Sequence, residues 1–289
     1  MSDKPILVTG AAGRTGLRII KALIARGVRV RAFVRRPAAG EELRTLGVGQ
    51  VVVGDLLDAG SVAGAMRGAG QVLHICPPMH SQEDAIGRGI VAEAAAADVE
   101  RFVLYSVLHP LLADVPHHAR KLEAERALVG SGLAYTILQP SRYMQQLAPI
   151  WQSVLASGVH SMPFATSARF SVVDLDDLAQ AAALVLTQPG HEGATYELAG
   201  PEALSQDDMA RILTELLARP IRAEAKPLDR MRSEAAAAGI PAERIETMGR
   251  MNAHYDKHGL IGNPNVLHWL LGRAPTRFRD FVRRELLAS

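Results

Sequence analysis

The sequence predicts an α/β fold: a doubly wound parallel β-sheet with helices on both faces and a smaller, mainly helical C-terminal lobe. Two observations support this prediction. Short apolar runs alternate with helical patterns over residues 6–138, which is typical of parallel strands joined by crossover helices. The first apolar run, residues 6–8, passes through Gly10, Gly13 and Gly16 into an amphipathic helical pattern. Crossovers of this kind are right-handed, so we expect a sheet of the Rossmann type.

Composition limits the class of protein. The chain has 289 residues, of which 48% are hydrophobic and 21% charged, enough for one large domain with an added lobe. Its net charge of +2 mixes both signs along the chain, which gives no reason to expect nucleic acid. We expect no membrane span and no signal peptide, since no apolar stretch has the required length. Cys76 is the only cysteine, which excludes an intramolecular disulfide and favours a cytoplasmic protein.

The turn between the first strand and the first helix predicts a phosphate site. A strand that turns through glycines into a helix leaves unpaired backbone N–H groups at the positive end of the helix dipole. Arg14 and Thr15 lie between the glycines of this turn. We therefore predict that residues 10–16 bind a dinucleotide through Gly10, Gly13, Arg14, Thr15 and Gly16. The alternative is a turn that only packs the helix against the sheet.

The remaining elements follow in order along the chain. Strands are expected at residues 28–34, 51–53, 72–76, 102–106 and 135–138, with helices at 41–46, 61–66, 83–97 and 116–129. Beyond Pro140 the alternation breaks, with a helix expected at 142–156 and a loop at 158–168. The nucleotide-binding fold is expected to resume at 170–173, followed by a helix at 176–186 and a strand at 195–198. We therefore expect a dinucleotide-binding lobe over 1–140, completed by 170–198, and a substrate or lid lobe over 141–169 and 199–289.

The residue at the end of the second strand indicates which coenzyme is bound. An acid near this position holds the ribose hydroxyls of NAD, whereas an arginine suits the 2′-phosphate of NADP. Arg35 occupies the position and Arg14 adds a second cation, so we predict NADP(H) as the cofactor. Two solvated arginines are the alternative. Asp55, after the third strand, is predicted to accept a hydrogen bond from the adenine amine, although a plain turn residue would look the same.

Five segments of the sequence resemble one known family. They are VTGAAGRTG, VVGDLLD, ILQPSRYMQ, SVVDLDDLA and GRAPTRFRDFV. Together they resemble the NmrA-like family, atypical members of the short-chain dehydrogenase/reductase superfamily. The resemblance implies a nucleotide-binding fold that binds NADP(H). Members of the family include quinone and dye reductases, and also regulators without catalytic activity that sense the redox state of the nicotinamide coenzyme. It also implies that Pro77 lies where the backbone passes the nicotinamide, although a simple strand terminator would look the same.

The resemblance also identifies candidate catalytic residues. Typical short-chain dehydrogenases carry a serine after strand five and a Tyr-x-x-x-Lys on the next helix. Ser106 and Lys121 match the serine and the lysine, but His117 stands where the tyrosine is expected. A lysine there positions the coenzyme ribose and stabilises a developing oxyanion; the alternative is a surface cation. Without the phenol, carbonyl reduction is disfavoured, and either His117 or solvent supplies the proton for a quinone or dye.

Other polar clusters are given structural interpretations. Asp174, Asp176 and Asp177 precede a helix, and capping explains them better than a metal. His254 and His258 have the spacing of a zinc pair but no third ligand, so we expect no metal.

Five residues are expected to rim a substrate pocket, although each is equally suited to ordinary packing: His109, Tyr143, Met144, Trp151 and Phe164. They predict a flat, apolar, small-molecule substrate. The sequence thus favours an NADPH-dependent reductase of a quinone-like or other conjugated acceptor. The alternative is a non-catalytic NADP(H)-sensing regulator with a protein partner. A homodimer is compatible with both.

Overall fold

The computed structural model describes residues 4–288. Within them the chain forms two compact units. The first comprises the residues up to Leu112 together with His118–Gln139 and Leu178–Tyr196. The second comprises Ala113–His117, Pro140–Asp177 and the residues from Glu197 onward. The assignment of a coenzyme lobe and a substrate lobe, with the boundaries drawn from the sequence, stays a prediction.

The strands and helices have the following bounds. The strands are β1 (Ile6–Val8), β2 (Val30–Val34), β3 (Gln50–Val53), β4 (Gln71–Ile75), β5 (Arg101–Tyr105), β6 (Tyr135–Pro140), β7 (Val159–Met162), β8 (Phe170–Val172), β9 (Ala194–Leu198), β10 (Glu202–Leu204) and β11 (Arg222–Ala225). The helices are α1 (Arg14–Ile24), α2 (Pro37–Thr45), α3 (Ala59–Met66), α4 (Glu83–Ala96), α5 (Pro116–Val129), α6 (Trp151–Ser157), α7 (Leu175–Thr187), α8 (Gln206–Leu217), α9 (Leu228–Ala237), α10 (Ala242–His258), α11 (Asn265–Leu271) and α12 (Phe278–Glu285). No helix among residues 4–288 is both long and apolar enough to cross a membrane.

A seven-stranded sheet forms the centre of the fold, in the order β3-β2-β1-β4-β5-β6-β9. The pairings among β1 to β6 are all parallel. This order and these crossovers confirm the predicted Rossmann-type, doubly wound fold. The order reverses between β1 and β4, and in such sheets ligands bind beyond the carboxyl ends of the two strands at the reversal. Gly10 and Pro77 follow those two ends.

Apolar side chains pack on both faces of this sheet, which explains the short apolar runs that predicted its strands. On α1, Ile19, Ile20 and Leu23 are completely buried, as the spacing of an amphipathic helix predicts. Phe102 and Val72, on neighbouring strands, are also fully buried in the core of the first unit. A parallel sheet covered on both faces produces such near-continuous apolar strands.

The structure differs from the sequence prediction after β6. A helix over 142–156 was wrong: residues Met144–Gln146 and Ala148–Ile150 form 3₁₀ turns, and only α6 is α-helical. Pro149 lacks a backbone donor and breaks the helical ladder in this stretch. The loop expected at 158–168 instead contains β7, which pairs in parallel with β11.

Strand β8 was expected to return to the central sheet but does not. It pairs antiparallel with β10 in a separate two-stranded sheet of the second unit. Burial in this smaller sheet explains the apolar residues of β8 as well as burial in the central sheet would. The pattern of apolar residues indicates that a strand is buried but does not identify its partner strand. The second unit thus combines two small sheets with α6 and the helices from α8 onward, in keeping with the predicted mainly helical C-terminal part.

Candidate functional site

Two glycines of the turn after β1 are required by the backbone geometry. Gly10 has a φ of 62°, and a Cβ there would lie 2.5 Å from the carbonyl oxygen of Ile75, the last residue of β4. A Cβ at Gly16 would lie 2.4 Å from the carbonyl oxygen of Gly10. Side chains do not approach backbone this closely, so any other residue at either position would displace the turn.

Gly13 occupies a more open position in the same turn. Its φ is −76°, and a Cβ there would meet only the Gly10 carbonyl oxygen, at 3.2 Å. Gly13 is exposed and is the N-cap of α1, and no cap hydrogen bond from a side chain is found there among residues 4–288. The first N–H groups of a helix have no intrahelical partner and lie at its positive end. With exposed Arg14 and half-buried Thr15 beside it, the turn has the shape and charge of a phosphate site.

Arg35 and Asp55 lie at the ends of β2 and β3, as predicted. Arg35 is exposed, and among the described residues it makes no hydrogen bond or ion pair. The carboxylate of Asp55 accepts a hydrogen bond of 3.0 Å from the backbone N–H of Leu57. Asp55 therefore stabilises its own turn, as expected of a plain turn residue. Contact of Arg35 or Asp55 with a coenzyme stays a prediction. Pro77 is exposed directly after β4.

Lys121 is the buried centre of the polar network in the first unit. Its ammonium nitrogen lies 3.0 Å from a carboxylate oxygen of Glu83 and donates to the carbonyl oxygen of Tyr105 at 3.1 Å. Lys121 is 5% exposed and Glu83 is 1% exposed. The surface-cation alternative is therefore wrong, and α5 carries a charge that needs a buried partner.

Burial also raises the pKa of the nearby Cys76 thiol to about 12, which leaves it protonated and unreactive.

Ser106 is tied to a second buried carboxylate. Its hydroxyl donates to Glu125, which also accepts from the side-chain amide of Gln139 at 2.9 and 3.0 Å. Burial raises the pKa of Glu125, although both hydrogen bonds and the charge of Lys121 oppose that shift. Glu125 lies one helical turn after Lys121, a spacing that in retrospect pointed to a shared polar face. Sequence reasoning missed both Glu83 and Glu125 because charged residues on helices are normally exposed.

Three histidines of the first unit have structural contacts. His118 is fully buried, and its Nδ1 donates to the carbonyl oxygen of His109 at 2.9 Å. His109 has a φ of 55°, a conformation unusual for a residue with a side chain. His74 is buried with its Nδ1 2.8 Å from the Thr9 hydroxyl, and burial, aided by the Lys121 charge, lowers its pKa to about 3. His117, which with solvent is one of the two proton sources considered from the sequence, belongs to the second unit and is half-buried in the first turn of α5.

The second unit contains an open pocket of about 410 Å³, its mouth included. Three of the five predicted substrate residues line it: Tyr143, Met144 and Phe164. Trp151 does not line it and is buried on α6, so its predicted role has no support from the pocket. His109 lies in the first unit.

The pocket also holds polar groups that the sequence did not indicate. Arg142 places its guanidinium carbon 4.8 Å from the ring centre of Phe164 and 5.2 Å from that of Phe170. Burial lowers the pKa of Arg142 to about 10, so it remains charged at neutral pH. His160 and Gln206 line the same pocket, and burial lowers the pKa of His160 to about 4. These residues could not be predicted to converge, because His160 lies on β7, which was expected to be a loop, and Gln206 begins α8 far along the chain.

The acidic cluster before α7 is organised by arginines. Asp174 accepts from the backbone N–H of Asp176 at 3.0 Å, which confirms its capping role. Asp176 and Asp177 lie in the first turn of α7, where the helix dipole favours acids. The Asp177 carboxylate accepts from Arg273 at 2.6 Å and from the Thr276 N–H at 2.6 Å.

One group of acids within the described residues has metal-like spacing: Asp174, Asp176 and Glu285. All three acids pair with Arg284, which lies 2.7 Å from Asp174, 3.2 Å from Asp176 and 3.4 Å from Glu285. The rings of His254 and His258 lie 4.7 Å apart.

Known proteins resemble this chain over almost its full length. The family model described as NmrA-like family matches residues 2–281. The NAD(P)H azoreductase of Xenophilus azovorans is 28% identical over 284 residues, which cover 98% of each chain. The (4-alkanoyl-5-oxo-2,5-dihydrofuran-3-yl)methyl phosphate reductase of Streptomyces griseus is 32% identical over 281 residues, 96% of each chain. The NADPH complex of an Escherichia coli quinone oxidoreductase superposes with a TM-score of 0.85 at 26% identity, covering 96% of this chain and 98% of that one.

Proposed function

The chain belongs to the NmrA-like family, and on that basis we propose that it is an NADPH-dependent reductase of a quinone-like or other conjugated, apolar acceptor. The three relatives act, by their names, on azo compounds, quinones and an unsaturated oxo-dihydrofuran. All three acceptors contain a polarised double bond that can take up a hydride. The observation that carries the proposal is the glycine turn. Gly10 and Gly16 allow its backbone to pack closely, and exposed Gly13 leaves the space in front of α1 without a side chain, where a pyrophosphate would bind.

The coenzyme supplies a hydride, and the acceptor takes up that hydride and one proton. For a quinone the products are the hydroquinone and oxidised coenzyme, so atoms and electrons balance. In this proposal the N-terminal end of α1 holds the pyrophosphate and Arg35 pairs with the 2′-phosphate. Asp55 and Pro77 would contact the adenine and the nicotinamide.

Lys121 is proposed to act through position and charge. Its contacts with Glu83 and the Tyr105 carbonyl hold a positive charge at the carboxyl end of β5. Such a fixed charge stabilises negative charge that develops on an acceptor. Because a quinone or dye distributes this charge over its conjugated system, solvent suffices as the proton source and His117 is not required.

Turnover with purified protein tests the proposal. NADPH oxidation is followed with a panel of quinones, azo dyes, enones and simple ketones. We expect turnover with the conjugated acceptors and little with the ketones, since no phenol stands at position 117. Tight NADP(H) binding without turnover of any acceptor would refute the reductase and leave the regulator.

The regulator is retained as the second candidate because of one observation. The position that carries the catalytic tyrosine in typical short-chain dehydrogenases is His117. A regulator predicts that coenzyme redox state changes affinity for a protein partner, which turnover assays would not detect. Cytoplasmic location and a homodimer remain proposals, the first from the single cysteine. Sedimentation of the purified protein tests the second.

A further inference from the structure

Arg142, in the pocket of the second unit, is a cation with no counter-ion in the described part of the chain. No carboxylate among residues 4–288 lies within ion-pair distance of Arg142, and the Tyr255 phenol is a titratable side chain near it. Its contacts are the faces of Phe164 and Phe170 and the Met162 sulfur, 3.9 Å from a guanidinium nitrogen. Cation–π contacts offset part of the cost of removing a charge from water, but partly buried charges are normally paired. The pocket therefore holds a positive charge that no carboxylate of the described residues balances.

Two further polar atoms in this pocket lack partners. His160 and Gln206 are 3% and 2% exposed, and neither His160 Nδ1 nor Gln206 Oε1 has a hydrogen-bond partner in the described part of the chain. The side-chain amide nitrogen of Gln206 donates to the Phe164 carbonyl oxygen at 2.7 Å, and the amide oxygen Oε1 remains available as an acceptor. Most buried polar atoms in folded proteins are paired, so these two atoms leave hydrogen-bonding capacity beside the Arg142 charge for polar groups of a ligand.

We propose that this pocket binds the acidic substituent of a planar, conjugated ligand, with Arg142 as its counter-ion. The acidic group is a carboxylate, sulfonate or phosphate, which the guanidinium can bind with two parallel hydrogen bonds. Gln206 Oε1 accepts from a hydroxyl or amine on the same ligand. His160 Nδ1 is a second acceptor, since the ring is neutral and its other nitrogen faces the Gln206 backbone. The aromatic rings and thioether around Arg142 contact the ligand plane. This inference rests on the proposed function in that the ligand is the acceptor of the reductase.

The first test measures binding without coenzyme or turnover. The probes are 3-hydroxy-2-naphthoate and its methyl ester, which share the ring system and differ in that the ester has a methyl group in place of the carboxylate charge. We expect calorimetry to show tighter binding of the acid by about ten- to hundred-fold, as one charge-assisted contact provides. Arg142→Met should remove this preference and Arg142→Lys should restore part of it. The matched control is Arg222→Met, which removes an exposed arginine of the same unit and should keep the preference.

The second test separates this inference from the proposed function. Methyl red and its methyl ester are compared as acceptors with NADPH, and we expect a lower KM for the acid that Arg142→Met abolishes. Turnover of both dyes with equal KM, and equal binding of both naphthoate probes by the parent protein, would overturn the anion site while the reductase stands. Arg142-dependent binding of the naphthoate without turnover of any dye would support the anion site and refute the reductase. The comparison of acid with ester in the parent protein does not depend on whether the variants fold.

Discussion

The ammonium nitrogen of Lys121 lies 3.0 Å from a carboxylate oxygen of Glu83, and the two side chains are 6% and 1% exposed. Removing two charges from water is costly, and each side chain is tolerated in the core only because the other is present. Glu83 lies in the first turn of α4, where the helix dipole also favours its negative charge. The pair therefore links α4 to α5 inside the first unit.

Glu83→Gln should destabilise the protein by about 3–5 kcal/mol, because Lys121 would keep a buried charge without its partner. Urea denaturation followed by circular dichroism measures this loss. The control is Asp84→Asn on the same helix, which removes the exposed ion pair with Arg88 and should cost under about 0.5 kcal/mol. If Glu83→Gln costs no more than the control, the pair is not a stabilising element. A Glu83→Gln, Lys121→Met double variant should be more stable than Glu83→Gln alone.

Arg35→Ala should weaken NADPH binding by about ten- to hundred-fold and leave NADH binding nearly unchanged, since only NADPH carries the 2′-phosphate. Calorimetry with both coenzymes measures the difference. The neighbouring exposed Arg36→Ala variant serves as the control for a general change in surface charge. Equal losses for the two coenzymes would show that Arg35 does not recognise the phosphate.

Gly13→Val and Gly16→Ala should separate coenzyme binding from folding. A Cβ at Gly13 meets only one backbone oxygen, at 3.2 Å, so Gly13→Val should fold and yet lose coenzyme affinity because its side chain fills the phosphate space. A Cβ at Gly16 would lie 2.4 Å from a backbone oxygen, so Gly16→Ala should also lose thermal stability. Melting curves measure the stability of both variants, and calorimetry measures their affinity for the coenzyme. A folded Gly13→Val protein with undiminished coenzyme affinity would contradict the site.

His117→Phe should leave coenzyme affinity intact and keep the turnover rate with a quinone within a few-fold of the parent. General acid catalysis contributes about 100-fold or more, so the two outcomes are well separated. Steady-state kinetics with saturating NADPH measures the rate. A loss of about 100-fold with intact binding would instead identify His117 as the proton donor.

Stability should fall as the pH drops below the unfolded pKa of His74. Burial lowers the folded pKa of this histidine from 6.5 to about 3, so over this range only the unfolded state takes up the proton. Between pH 7 and pH 5 the loss is about 2 kcal/mol. His74→Gln should lack this part of the pH dependence in urea denaturation at the two pH values. His160, with a pKa lowered to about 4, adds a loss of the same sign that the variant keeps. A variant with the same pH dependence as the parent would count against a neutral, buried His74.

The features that the sequence predicted are those determined by neighbours along the chain. The glycine turn, the apolar stripe of α1 and the alternation of strands and helices all depend on spacings of a few residues. The features that it missed depend on partners far away in sequence. Strand β8 pairs with β10, and the burial of Glu83 becomes apparent only when Lys121 lies beside it. Arg142 could not be singled out for the same reason, since its two aromatic neighbours come from different segments.

The pairing of β7 with β11 has a consequence for synthesis of the protein on the ribosome. Val159 pairs with Arg222, 63 residues later, so β7 leaves the ribosome well before its partner exists. At about 5–20 residues per second the delay is roughly 3–13 s. During that interval an unpaired strand edge is exposed to other nascent chains. We expect chaperone binding to ribosome-bound chains to peak after β7 emerges and to decline once β11 has left the exit tunnel.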